Sequence, residues 1–155
     1  MNSRGLRPPV LGSHAFRYGG YGSAPGFDLP LIPVTVAAPG GRSSLPLNAI
    51  LDTGSTDTVV PESVYAAVVG RPEGRRETLK TPGGVVEGVR VMVDLAIVDS
   101  HLPSVICWAF EGAEVFVAAE DADFPLGVLG WDLLSHFEVR VNRDLGFIEL
   151  KRVRR

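Results

Sequence analysis

Cysteine is nearly absent: Cys107 is the single thiol in 155 residues. One thiol excludes an internal disulfide and fits a reducing compartment, and beside Trp108 it reads as a small buried apolar residue. A strong charge is missing too, since 15 basic and 18 acidic side chains leave a net charge of -3. Such a balance gives no electrostatic footprint for nucleic acid. The basic ending Lys151-Arg152-Val153-Arg154-Arg155 has no interleaved aromatics and reads as a solvated tail. No apolar run reaches the roughly 18 residues that cross a bilayer, and the N-terminus lacks the apolar core of a signal peptide. A soluble cytoplasmic protein with no nucleic-acid or membrane partner is the expectation.

Two families of chemistry are short of residues as well. The three histidines, His14, His101 and His136, have no Ser or Cys in a nucleophile context to serve, which argues against a histidine-based hydrolase. Glu120, Asp121 and Asp123 cluster in one loop, but the glycine and downstream glutamate of a calcium loop are missing, so a solvated acidic loop is expected. Neither metal nor cofactor is expected.

What the chain does have is apolar residues, 45% of the total, and enough length for one domain that buries roughly two-thirds of its surface. Residues 1–27 are rich in Gly and Pro and hold no sustained period, so they read as an irregular arm. Phe16, Tyr18, Tyr21 and Phe27 equip that arm to dock on a partner or on its own domain; a mobile leader is the alternative. The domain proper is expected over residues 28–155. Leu31 to Val36 reads as a strand whose prolines imply an edge or a strand start, and Leu45 to Leu51 as its partner after a turn-rich connection. Ser63 to Val69 reads as a short helix stopped by Gly70. Residues 77–80 and 85–98 flank Thr81-Pro82-Gly83-Gly84 as the arms of a hairpin, the second arm alternating from Val89 to Ile97 as a half-buried strand does. Further strands are expected over 104–110 and 115–117, with 111–114 as their connection. A helix over 131–136 and a hairpin over 137–150 close the chain.

One stretch organises the rest: Ala49-Ile50-Leu51-Asp52-Thr53-Gly54-Ser55-Thr56-Asp57-Thr58-Val59-Val60-Pro61. An apolar strand delivers one carboxylate into a tight turn, where it needs a hydrogen-bond donor, and the following Gly lets a ligand or another backbone come close. That suits a carboxylate dyad, in which two adjacent acids cannot both ionise and so share a proton. Only one Asp-Thr-Gly occurs, so the second acid must come from another chain.

Ile50 to Val60 resembles the active-site signature of the retropepsin-like aspartic proteases, half-sized dimeric relatives of pepsin. Val128-Leu129-Gly130-Trp131-Asp132-Leu133-Leu134 is similar to the family's second signature, two apolar residues and Gly before a short helix. The tripeptide alone arises by chance in about 3% of chains this long, whereas both signatures in order are hard to obtain by accident. The resemblance implies an all-β fold, a closed barrel with one or two short helices, and a homodimer that hydrolyses peptide bonds with Asp52 as the catalytic acid of each chain. It further implies that Thr53 and Gly54 support the site, that Gly54, Asp57, Gly83 and Gly84 contact substrate, and that the glycine-rich hairpin is the flap. For Asp57 a turn-capping role is an alternative, and for the hairpin a plain surface role. Asp132 is expected to cap its helix or bond back to the turn. A catalytically silent binding or scaffold module of the same fold is the alternative function. The hairpin over 137–150 is expected to be the main dimer interface, because a closing strand with Phe147, Ile148 and Leu150 exposes unpaired backbone and apolar side chains.

Overall fold

A computed structural model describes residues 12–22, 29–81, 84–119 and 126–153. Its elements run β1 (Ser13–Arg17), β2 (Leu31–Ala37), β3 (Leu47–Leu51), β4 (Val59–Pro61), α1 (Glu62–Val68), β5 (Arg76–Thr81), β6 (Gly84–Val98), β7 (Ile106–Ala118), β8 (Gly127–Leu129), α2 (Trp131–Leu134), β9 (Phe137–Asn142) and β10 (Phe147–Arg152). The fold is all-β, and neither helix is long and apolar enough to cross a membrane.

The larger sheet has the order β2-β3-β8-β4-β7-β6-β5, and an added β2–β6 pairing closes six of these strands into a barrel. Closure leaves β5 outside the ring, paired to β6 alone. Every residue of β2 is buried: Ile32, Val34 and Val36 face the core, and α1 and β1 also pack against the strand. Pro33 fits because β3 pairs with residues 31–34 and β6 with 34–37, so at Pro33 the chain has a partner on one side only. Along β6 the expected alternation holds, with Val93, Leu95 and Ile97 in the core beside Cys107, Trp108 and Phe110 of β7.

Two expectations change. Residues 111–114 are not a connection, because β7 is one strand from Ile106 to Ala118. Their turn-like composition marks a β-bulge: between the pairs Val93↔Ala113 and Leu95↔Phe110 the β7 side carries one extra residue, and Gly112 there has φ +59°. The Gly112 N–H donates to Asp94 Oδ1 at 2.9 Å.

The arm over residues 1–27 is likewise not irregular throughout, since within its described part, residues 12–22, Ser13–Arg17 is the strand β1, antiparallel to β10. Phe16, 1% exposed, enters the core, and His14 Nε2 lies 2.7 Å from Asp99 Oδ2. With its two apolar residues, Ala15 and Phe16, adjacent, β1 has no period to read; pairing with β10 makes it a strand. It also corrects the edge argument for the hairpin. In the three-stranded sheet β1-β10-β9, β10 is the middle strand, and Ile148 and Leu150 are fully buried in their own chain. Among the described residues, the free edge of the hairpin lies on β9.

Candidate active site

Strand β3 runs parallel to β8, pairing Ala49, Ile50 and Leu51 with Gly127, Val128 and Leu129. The last rung is the Asp52 N–H donating to the Leu129 carbonyl at 3.1 Å, after which the chain leaves the sheet. Asp52, Thr53 and Gly54 are all exposed. The expected hydrogen bond to the acid is present, from the Gly54 N–H to Asp52 Oδ1 at 2.9 Å. Burial of Asp52 within its own chain is not.

Behind this turn the chain is fastened to the start of α2. The N–H groups of Trp131 and Asp132 donate to the carbonyls of Ser55 and Thr56 at 2.7 and 3.2 Å. The Asp132 carboxylate accepts from the Thr58 N–H (3.0 Å), the Thr58 hydroxyl (2.7 Å) and the Leu133 N–H (2.9 Å). It therefore bonds back to the turn from within the first turn of α2, whose N-cap position is Gly130, without a side-chain cap. The Thr58 hydroxyl in turn accepts from the Gly130 N–H at 3.1 Å. Only glycine fits at 130, because a Cβ there would run into the Asp57 backbone.

Asp57 faces sideways, toward the β5–β6 hairpin. Its Oδ1 lies 2.6 Å from Arg90 Nη1 and its Oδ2 accepts from the Thr56 hydroxyl at 3.0 Å. Arg90 Nε donates to Glu77 Oε2 on β5 at 2.7 Å, and Nη1 is 3.9 Å from Glu114 Oε1 on β7. Partial burial alone would raise the Asp57 pKa, but the bonds from Arg90 and Thr56 and the charge of Arg90 outweigh it and hold the carboxyl below its ordinary 3.8. The bond to Asp57, opposed by desolvation and reinforced by Glu77, raises Arg90 further above its usual range. Burial pushes the Cys107 thiol up to about 12, so it is an inert core residue.

The candidate residues are thus not all in one place. Asp52, Thr53, Gly54 and Asp57 share the turn, whereas Gly84 starts β6, exposed, with φ +129°. Gly83 lies outside the described residues, as do Glu120, Asp121 and Asp123. Among the described residues no group of three or more His, Cys, Asp or Glu side chains is gathered as a metal would need. Arg90, Glu77 and Thr58 escaped the sequence reading. Arg90 sits at an outward position of an alternating strand, where an arginine signals only solvent; Asp57 comes from 33 residues away.

Curated proteins give no match. Among solved structures, a retropepsin-like aspartic protease from Rickettsia conorii aligns with 90% of this chain and 99% of its own at 13% identity and a TM-score of 0.56, a likeness of fold. The EIAV protease complexed with the inhibitor HBY-793 aligns with 73% of this chain and 91% of its own at 22% identity and a TM-score of 0.46. The retroviral protease-like domain of Ddi1 from Leishmania major aligns with 80% and 94% at 12% identity and a TM-score of 0.39. A family model described as aspartyl protease matches residues 32–133, about two-thirds of the chain. That match takes in both the Asp52 turn and the Gly130 corner that backs it, and the chain therefore belongs to the aspartyl protease family, in its retropepsin-like form.

Proposed function

We propose that the protein is an aspartic endopeptidase whose catalytic centre forms between two copies of the chain, each contributing Asp52. One observation carries this reading: Asp52, Thr53 and Gly54 stand exposed beside Trp131, itself 51% exposed, in a chain that holds a single Asp-Thr-Gly. A second copy covers this face and supplies the missing acid. The paired carboxylates share one proton. The ionised acid takes a proton from water as the water oxygen attacks the peptide carbonyl carbon, while the protonated acid gives its proton to the carbonyl oxygen. When the resulting gem-diol collapses, the C–N bond breaks, the leaving nitrogen takes the proton that came from water, and a hydroxyl proton returns to the dyad. No covalent intermediate forms.

Thr53 bonds across the two-fold axis, Gly54 offers its carbonyl to the peptide main chain, and Asp57, Gly83 and Gly84 contact substrate, with the β5–β6 hairpin as flap. The free edge of β9 is where the copies join. In an antiparallel two-fold pairing the axis residue faces itself. With Val139 at the axis, Glu138 faces the copy's Arg140 and Arg140 the copy's Glu138, whereas Glu138 or Arg140 at the axis would oppose like charges. Val141, 46% exposed in the single chain, then lies in register with the copy's position 137.

Cleavage of a proteome-derived peptide library, read by mass spectrometry, tests the reading. Cleavage is expected with the wild-type protein, should drop roughly a thousandfold or more in Asp52→Asn, and should fall per chain on dilution. Full activity in a demonstrable monomer overturns the shared site. No cleavage by an intact dimer at acid or neutral pH turns the reading to a scaffold.

A further inference from the structure

Closure of the barrel leaves the position of β5 undetermined by any ladder except its own with β6. The lower stem is laddered to β7, and among the described side chains Arg90 is ion-paired both to β5 of the hairpin and to the Asp52 turn. Arg90 lies in the stem opposite Phe116 of β7, and its guanidinium carbon is 5.8 Å from the centre of that ring. Phe116 is itself bonded to the turn, its N–H donating to the Thr58 carbonyl at 3.0 Å. Gly88 lets the ring lie close against β6, since a Cβ there would strike Phe116 and the Val117 carbonyl. On this platform Nη1 reaches Asp57 and Nε reaches Glu77.

We propose that Arg90 is a positioning residue that ties the β5–β6 hairpin to the Asp52 turn by bridging Glu77 and Asp57, and so sets where the hairpin stem stands beside a bound peptide. The inference rests on the peptidase reading for its kinetic consequence. A planar guanidinium offers two rigidly related donors to two separate carboxylates, which a lysine ammonium on a flexible stem does not. Three acids face it: Asp57 from the turn, Glu77 from β5 and Glu114 from β7. With Arg90 present each contact is attractive, and without it the same three carboxylates repel one another and push stem and turn apart. The barrel ladders do not pass through this side chain, so they survive its loss. What is lost is alignment, which a peptide must then restore from its own binding energy, raising KM more than it lowers kcat.

Arg90→Met, Arg90→Lys and Glu77→Gln, each as the full chain, test this with two readouts. Glu77→Gln weakens the hairpin arm while leaving the Asp57 pair in place. Hydrogen exchange of the stem amides, residues 76–81 and 84–90, should quicken roughly tenfold in Arg90→Met and less in Arg90→Lys, with the amides of β2 and β3 unchanged. KM for a cleaved peptide should rise roughly tenfold in Arg90→Met with kcat within about twofold, and adding Glu77→Gln to Arg90→Met should raise it no further. Unchanged stem exchange, an equal rise over the whole barrel, or faster stem exchange at unchanged KM in an active enzyme would each overturn the proposal. A wild-type protein that cuts nothing counts against the peptidase reading, and the exchange experiment then decides the tie by itself.

Discussion

The Asp52 turn has a front, residues 52–54, and a rear, residues 56–58, and the two are built in opposite ways. At the rear, Thr58 is 1% exposed and joins Gly130 and Asp132 by three hydrogen bonds. At the front, all three residues are exposed and the acid is held by one N–H two residues away. A rigid rear with a bare front is what a half-site needs: the geometry is set within each chain, and the face that carries the chemistry is left for another molecule to complete.

The sharpest way to break this contrast is to cut the rear. Asp132→Ala removes the acceptor for Thr58 and Leu133 and strands buried donors, at a cost of about 2–4 kcal/mol. Urea unfolding checks it against Asp52→Asn, an exposed change expected to stay within about 0.5 kcal/mol of wild type. Equal losses would erase the distinction between front and rear. A smaller effect is expected from Val141→Asp, which is tolerated in a lone chain but places a carboxylate in the proposed β9 contact. Sedimentation should show the dimer weakened roughly tenfold or more with the fold intact. An unchanged dimer would move the interface off β9.

The smallest expected effect concerns pH and the side of the turn. Asp57 is held below its ordinary 3.8 in the folded chain, so its pairing stabilises the fold above that value and is lost as pH falls through the lowered one. In Arg90→Met the carboxyl returns toward its ordinary value and that contribution is absent, so the midpoint should be lower than wild type at about pH 5 and fall less steeply toward about pH 2, the two profiles converging in acid. Thermal midpoints measured from about pH 5 down to about pH 2 check the shift. Coincident profiles would mean that Arg90 does not hold Asp57.

Local pattern carried much of the architecture. The alternation along β6, the turn signals between strands and the two apolar-then-Gly signatures placed β2, β3, the β5–β6 hairpin, both helices and the closing hairpin within a few residues. Elements that owe their existence to a distant partner were illegible. Strand β1 holds a single core residue, Phe16, and becomes a strand because β10 offers it an edge; the bulge at Gly112 looks like a turn until β6 is seen to run past it.

For the site the division is similar. Asp52, Thr53 and Gly54 could be named as candidates from the sequence itself, because a carboxylate, a hydroxyl and a glycine at the end of an apolar strand are consecutive residues. Asp132 was partly legible: of the two roles expected for it, the bond back to the turn is present, and capping is not, since Gly130 holds the N-cap position. Tertiary structure alone decided that Arg90 joins Asp57 to Glu77, that Thr58 is the buried hub behind the turn, and that β9, not β10, is an edge strand of its sheet among the described residues. Those facts depend on which strands the closed barrel and its neighbouring sheet bring side by side, and charge pairing and edge exposure are properties of that juxtaposition.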